Sequence, residues 1–173
     1  MMDLLFVRHG KAQKRGTVAV DCERKLVPRG IAQLKEDSPH LAEYLKGREK
    51  IYLWSSRMMR AMETAEIIKG ICEIGQIDYR DFIETGDFCE LEQSLKQMEE
   101  DSTIIIVGQE PDLSEWTHLI SKKTICFKKG SAISFNILTT EKLAGEIQWI
   151  AEPGEYKRMI RCLKRKENKD GSP

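Results

Sequence analysis

The stretch Asp3-Leu4-Leu5-Phe6-Val7-Arg8-His9-Gly10 joins a short apolar run directly to an arginine, a histidine and a glycine. An apolar run this short predicts a buried strand, and buried strands of this kind are typical of parallel sheets. In open α/β sheets, ligands bind in the crevice beyond the carboxyl ends of the strands. The stretch therefore predicts the fold class and also the place of a functional site, which is the end of this strand.

In two later segments, a predicted strand is again followed directly by polar and charged side chains. Lys50–Trp54 precedes Ser55-Ser56-Arg57-Met58-Met59-Arg60-Ala61-Met62-Glu63-Thr64, and the β-branched run Thr103–Val107 precedes Gly108-Gln109-Glu110-Pro111-Asp112-Leu113. The carboxyl ends of parallel strands meet at one edge of a sheet, so these two segments should lie beside the end of the first strand.

Arg8, His9 and Arg60 together predict a small anion pocket. Guanidinium groups bind phosphate oxygens in a bidentate manner. A neutral imidazole held between two such cations can attack phosphorus and carry the phosphoryl group as a phosphohistidine. Gly10 permits a close approach of the backbone at this point. The expected ligand is a phosphoryl group, and a phosphate ion is expected to occupy the same pocket.

Helical periodicity alternates with the predicted strands along the chain. Pro39 lies inside the first helical stretch and predicts a break or a kink there. The alternation predicts an α/β sandwich with a mostly parallel sheet, and the closely spaced strands near the end predict an antiparallel edge. The predicted helices are Arg29–Lys46, Met58–Lys69, Glu90–Glu100 and Pro111–Ile120, and the further strands are Ile77–Phe82, Thr124–Phe127, Ala132–Leu138 and Glu146–Ala151.

Length and charge limit the classes of protein to which this chain can belong. Its 173 residues favour one domain, which we place at residues 1–163, with the charged residues 164–173 as a disordered tail. The 28 basic and 28 acidic residues cancel, which argues against a nucleic-acid-binding protein. We see neither an apolar run that could span a membrane nor a secretory signal, and we expect a cytoplasmic protein. The five cysteines form no C-x-x-C pair, so we expect reduced thiols that are mostly buried or inert, without a disulfide or a zinc site.

The three segments, in this order and each after a predicted strand, resemble the histidine phosphatase superfamily, which has the phosphoglycerate mutase-like fold. Leu26-Val27-Pro28-Arg29-Gly30 and the ending Gly145-Glu146-Ile147-Gln148-Trp149-Ile150 look most like the SixA branch. That branch contains phosphohistidine phosphatases that act on histidine phosphotransfer proteins. The resemblance covers residues 3–155 and implies a three-layer α/β/α sandwich.

The resemblance also implies a role for each matching residue. His9 would accept the phosphoryl group, while Arg8 and Arg60 would hold it. The serines of the second segment would lie close by, as hydroxyl donors or as caps of the helix that follows. The residues expected around the substrate are Gly10, Ser55, Ser56 and Glu84.

Two positions depart from the family pattern. Arg57 stands where the family often has proline, and we expect its charge to face solvent. Gln109 stands where the family has a second histidine, which gives a cationic donor to the phosphoryl oxygens. A glutamine N–H can reach the same oxygen, but charge-assisted hydrogen bonds are about twice as strong as neutral ones. We therefore include Gln109 among the catalytic residues and expect reduced activity.

The sequence leaves the proton donor and the substrate open. Glu84, Asp87, Glu90 and Glu110 are all candidates for the acid that a phosphoester leaving group needs. The SixA branch generally lacks a dedicated acid, which suits phosphohistidine because imidazole leaves with little help. We expect a phosphohistidine phosphatase with a phosphorylated protein as its partner. The alternatives are a phosphatase for a small phosphoester or another phosphoprotein, and a catalytically weak relative that only binds phosphate.

We expect no cofactor and no metal in this reaction. The sequence lacks the G-x-x-x-x-G-K-[ST] and G-x-G-x-x-G patterns that bind nucleotides, and it lacks H-E-x-x-H. Transfer of a phosphoryl group through a histidine requires none of these elements. We also expect neither nucleic acid nor a membrane among the partners.

Overall fold

Six strands form one mixed sheet in the computed structural model, which describes residues 1–170. The strands are β1 (Asp3–Arg8), β2 (Ile51–Ser55), β3 (Ile77–Tyr79), β4 (Thr103–Gly108), β5 (Ala132–Thr139) and β6 (Ala144–Ala151). Their order across the sheet is β3-β2-β4-β1-β5-β6. β1 to β4 are parallel, and β5 is antiparallel to both β1 and β6. The predicted mostly parallel sheet with an antiparallel edge is confirmed.

Helices cover both faces of this sheet and complete three layers. The helices are α1 (Pro28–Leu45), α2 (Met59–Cys72), α3 (Asp81–Thr85), α4 (Phe88–Lys96), α5 (Asp112–Ser121) and α6 (Tyr156–Asp170). One core lies between the sheet and α3, α4 and α5. The other core lies between the sheet and α1, α2 and α6. The predicted α/β/α sandwich is therefore confirmed.

The apolar run of β1 explains why this strand lies inside the sheet. Leu4 and Phe6 face one core, and Leu5 and Val7 face the other, and all four side chains are buried. A strand that is apolar on both faces is stable only where helices cover both sides. β1 pairs with β4 on one side and with β5 on the other. Arg8 and His9 are thus held at the middle of the sheet edge.

One prediction about a helix and one about a strand are wrong. α1 is 18 residues long and continues through Pro39, so the break expected there is absent, and Ser38 and Leu41 beside the proline are buried. The strand predicted over Ile77–Phe82 ends at Tyr79, and α3 begins at Asp81. Phe82 and Ile83 are buried against the sheet from this short helix, so their apolar character reflects helix packing.

The strand predicted over Thr124–Phe127 is absent from the described chain, which is irregular over those residues. The backbone of Phe127 bonds to side chains and does not pair with a neighbouring strand. Its carbonyl accepts a hydrogen bond from Arg8, and its N–H donates to Glu110. The apolar residues of this segment still contribute to the core, since Phe127 is buried in it and Ile125 packs against it.

The predicted disordered tail is wrong for residues 164–170, which continue α6 to Asp170. Residues 171–173 of that tail lie outside the described residues. Tyr156, Met159 and Ile160 are buried on the face of α6 that meets the sheet, and Leu163 packs beside them. These apolar residues have helical spacing, but the many basic residues between them make the periodicity weak, so the sequence did not predict this helix.

Within the described residues, no helix is both long enough and apolar enough to cross a membrane. All five cysteines are free thiols, as predicted, and four of them are exposed, so the burial that we expected for most of them is absent. The exposed ones are Cys22, Cys89, Cys126 and Cys162.

Candidate active site

His9 follows β1 and is held at the sheet edge by the backbone of two neighbouring segments. Its N–H donates to the carbonyl of Gly108 at the end of β4. The N–H of Gly130 donates to the carbonyls of both Arg8 and His9, at 3.1 Å each. Only 4% of the His9 surface is exposed. The imidazole therefore occupies a fixed and largely dry position.

The tautomer of His9 follows from its two ring contacts. Nδ1 lies 2.7 Å from the carbonyl oxygen of Gly10, which can only accept, so Nδ1 carries the proton. Nε2 then has a lone pair, and it accepts a hydrogen bond from Nε of Arg60 at 3.2 Å. This arrangement leaves Nε2 as the nucleophilic atom of the ring.

Burial lowers the pKa of His9 to about 3. The hydrogen bond to the Gly10 carbonyl raises the pKa, but the nearby charges of Arg60, Arg8 and Lys129 lower it. The imidazole is consequently neutral at physiological pH. A neutral ring is the form that can attack phosphorus.

Arg60 lies in the first turn of α2 and is buried beside His9. Besides its bond to the imidazole, its guanidinium donates to the carbonyl of Asp21 at 3.0 Å and lies 3.3 Å from the Asp21 carboxylate. Asp21 also accepts two hydrogen bonds from Arg24. One carboxylate thus holds two guanidinium groups at the pocket.

Arg8, the last residue of β1, provides the second guanidinium beside His9. One of its terminal nitrogens donates to the carbonyl of Phe127. Its Nε is buried and has no acceptor among the described residues. Burial lowers the pKa of Arg8, and the carboxylate of Glu110 acts in the opposite direction. An unsatisfied buried donor on a cation is suited to an anion.

The pocket above His9 has a volume of about 470 Å³ and is strongly basic. Seven of the twelve described residues that line it are basic, and Glu110 is the one acidic residue among those twelve. Its basic residues are Arg8, Lys11, Lys14, Arg15, Arg24, Arg60 and Lys129. This composition fits a phosphorylated ligand.

The sequence profile of the histidine phosphatase superfamily, branch 1, matches residues 4–114. The chain belongs to this superfamily. An uncharacterized protein of Picosynechococcus sp. is 31% identical over 125 residues, which are 69% of this chain and 73% of that protein. Histidine phosphatases act on phosphorylated substrates, and the basic pocket around His9 is consistent with phosphatase activity.

Solved structures of phosphatases share the fold at low identity. A protein histidine phosphatase SixA in complex with tungstate has a TM-score of 0.73 and 18% identity, covering 89% of this chain and 99% of that one. A mycobacterial glucosyl-3-phosphoglycerate phosphatase has a TM-score of 0.64 and 12% identity, covering 87% of this chain and 99% of that one. The same fold therefore occurs in phosphatases named for different substrates.

Gln109 lines the pocket, but its amide group bonds to the protein. Nε2 donates to the carbonyl of Ile83 at 2.6 Å and to the carboxylate of Asp112 at 3.3 Å. Oε1 accepts a hydrogen bond from the hydroxyl of Ser56 at 3.1 Å. The structure places Gln109 beside the pocket as predicted, but directs both of its N–H groups away from a substrate.

The remaining predicted substrate residues differ in their relation to the pocket. Ser55 and Ser56 are buried behind it, where Ser55 donates to the Ser56 carbonyl and Ser56 donates to Gln109. The space beside Gly10 is filled by Leu34, since an added Cβ would meet its Cδ1 at 2.7 Å. Gly10 thus permits close core packing, where the sequence predicted close approach to a ligand. Glu84 is exposed on α3 and does not line the pocket.

The four candidate carboxyl groups are also separated by the fold. Glu110 lines the pocket, where its carboxylate accepts the Phe127 N–H at 3.2 Å. Asp87 caps the N-terminus of α4 by accepting the N–H of Glu90.

Arg57, as predicted, faces solvent, where it bonds to Asp81 at 2.9 Å.

Sequence reasoning missed Asp21, Arg24 and Thr64. The Thr64 hydroxyl donates to the carbonyl of Arg60 and accepts the N–H of Gly10, so it joins α2 to the strand end that carries His9. The D-x-x-R spacing of Asp21 and Arg24 was the available signal for an ion pair. Nothing local in the sequence indicates that Arg60 would share this carboxylate.

Proposed function

We propose that this protein is a phosphohistidine phosphatase that acts through a phosphohistidine at His9. The observation that carries the proposal is the state of His9, whose Nε2 lone pair faces a guanidinium while its Nδ1–H is fixed by the Gly10 carbonyl. A buried, neutral imidazole beside two arginines can attack a phosphoryl group that those arginines bind.

In the first step, the Nε–H of Arg60 exchanges its hydrogen bond from Nε2 of His9 to a phosphoryl oxygen, and the freed Nε2 lone pair attacks the phosphorus of the substrate. A P–N bond to His9 forms as the P–N bond to the substrate histidine breaks, and that histidine leaves with the bonding electron pair. Arg8 and Arg60 hold the phosphoryl oxygens during the transfer, and their positive charges stabilise the transition state. Water then attacks phosphorus, the bond to Nε2 breaks, and inorganic phosphate and neutral His9 are released.

The leaving group favours phosphohistidine over phosphoesters in this pocket. Imidazole takes up a proton near pH 6.5 and leaves readily, whereas an alkoxide requires a proton from an acid. Glu110 is the one acidic group among the described pocket residues, and its carboxylate accepts the N–H of Phe127 at 3.2 Å. One of its oxygens is thus bound to the backbone, and the described lining offers no second carboxyl group to protonate an alkoxide.

A second candidate function is a relative that binds phosphoryl groups with little turnover. The bonds of the Gln109 amide to Ile83 and Asp112 favour it, because the donor expected at this position points away from the pocket. Loss of one preorganised donor costs about 10²–10³ in rate. Such a loss would slow the reaction without preventing binding.

Phosphate release from a phosphohistidine peptide, compared between the wild type and His9→Ala, tests the proposal. We expect turnover in the wild type and none in His9→Ala, with the circular dichroism spectra of both alike. Equal rates for the two proteins would refute the covalent role of His9. Inorganic phosphate binding without turnover in the wild type would support the second candidate function.

A further inference from the structure

The pocket contains more positive charge than one phosphoryl group requires. Arg8 and Arg60 are the cations beside His9, and Arg24 is paired with Asp21. Four further cations form the outer wall, and all of them are exposed. We call them the rim cations, and they are Lys11, Lys14, Arg15 and Lys129.

Few carboxylates of the protein itself pair with the rim cations. Arg15 lies 4.0 Å from Asp21, a carboxylate already shared by Arg24 and Arg60. Lys11, Lys14 and Lys129 have no ion pair with the described carboxylates within 4.0 Å. Partial loss of solvent at the pocket wall lowers the pKa of Lys129, and the charges of Arg8, Arg24, Lys11 and Arg15 lower it further. Like charges are therefore crowded together in a chain whose net charge is zero.

Local structure holds two of the rim cations in place. Ala12 pairs with Leu26 in an isolated antiparallel bridge, and Gln13 bonds to Lys25 through both its backbone and its side chain. A turn closed by Thr17 and Lys14 lies between these contacts. The segment that presents Lys14 and Arg15 is thus closed at its base. The backbone that carries these two side chains is therefore ordered before an anion binds.

We propose that the substrate carries carboxylate side chains next to its phosphoryl group, on an acidic protein surface that covers the rim cations. This inference rests on the proposed function. Exposed cations at the mouth of a pocket attract a large anionic surface, because such a surface can neutralise several of them at once. The volume of about 470 Å³ leaves room for groups beyond the phosphoryl.

Two phosphohistidine peptides test this inference, one with Asp and Glu around the phosphohistidine and one with Asn and Gln in their place. We expect kcat/KM to be about tenfold higher for the acidic peptide at low salt, mainly through KM, with the preference lost at high salt. The double variant Lys14→Gln/Arg15→Gln should lower kcat/KM for the acidic peptide by about three- to tenfold. The neutral peptide should change by less than about twofold.

The matched control is Lys46→Gln/Arg158→Gln, which removes the same charges from exposed positions outside the pocket. It should leave both peptides unchanged. Equal kcat/KM for the two peptides in the wild type would overturn the inference while leaving the proposed function intact. A preference for a small bisphosphate over both peptides would also overturn it.

Absence of turnover with every peptide would refute the proposed function. The inference would then be decided by the Kd of each peptide for His9→Ala, which retains all the rim cations. Tighter binding of the acidic peptide, weakened by Lys14→Gln/Arg15→Gln in the same background, would support it. Equal Kd values would overturn it.

Discussion

The amide of Gln109 has one orientation that its neighbours allow. Exchanging its nitrogen and oxygen would place Oε1 against the carbonyl of Ile83 and the carboxylate of Asp112, both of which only accept hydrogen bonds. Burial of the amide makes such a mismatch costly. The side chain of Gln109 therefore connects the end of β4 to α3 and to the start of α5 through hydrogen bonds.

Gln109→His should raise kcat by about tenfold to several hundredfold, if this position can supply a cationic donor to the phosphoryl group. The carboxylate of Asp112 lies 3.3 Å from the present amide nitrogen, so it can stabilise an imidazolium there. Phosphate release from a phosphohistidine peptide at saturating substrate measures the effect.

Gln109→Met is the matched variant, because it keeps the length of the side chain and removes the donor. It should lower the melting temperature, since the acceptors at Ile83 and Asp112 lose their partner, and leave kcat within about threefold. An unchanged kcat in a folded Gln109→His protein would show that another group already fills this role.

The start of α1 packs closely against the segment after His9. A Cβ added at Gly30 would lie 2.2 Å from the carbonyl oxygen of Lys11, which is a backbone atom and cannot move alone. That carbonyl also accepts the N–H of Val27, so the contact fixes α1 against the site. Position 30 therefore requires glycine, because a side chain there would clash with the backbone of Lys11.

Gly30→Ala should lower the free energy of unfolding by about 2–4 kcal/mol, because overpacking against backbone forces α1 away from Lys11. The same change at Gly70, inside α2, meets nothing within 4 Å and should be stabilising by about 0.5–1 kcal/mol. Urea unfolding of both variants measures the difference. Similar effects at the two positions would contradict the steric role of Gly30.

The sequence predicted those elements whose signal is local. β1, β2 and β4 end in polar residues, and this pattern located the site at one edge of the sheet. α6 was missed because basic residues mask its apolar spacing, and Thr124–Phe127 was misread because its backbone bonds to Arg8 and Glu110. Contacts between distant segments, such as Asp21 with Arg60, have no local signal.

At the scale of the whole molecule, the buried His9 links stability to pH. The folded protein keeps His9 neutral down to its pKa of about 3, whereas the unfolded chain binds a proton near pH 6.5. Between these values the unfolded state binds more protons, so stability falls as the pH falls through this window. Above about pH 6.5 this contribution is constant.

We expect acidification from about pH 7 to about pH 4.5 to cost the wild type about 2–3 kcal/mol more than it costs His9→Gln, which lacks this group. The free energy of unfolding in urea, measured for both proteins at both pH values, gives the difference. An equal loss in the two proteins would show that His9 is protonated in the folded state.

The central position of β1 has a consequence for biosynthesis. The strand that carries His9 is made before its partners β4 and β5, which begin about a hundred or more positions later, at Thr103 and Ala132. A ribosome must therefore synthesise the chain through β4 before β1 can pair in the sheet. Until then the apolar side chains of β1 lack their partners, and an exposed run of this kind favours aggregation or binding by a chaperone.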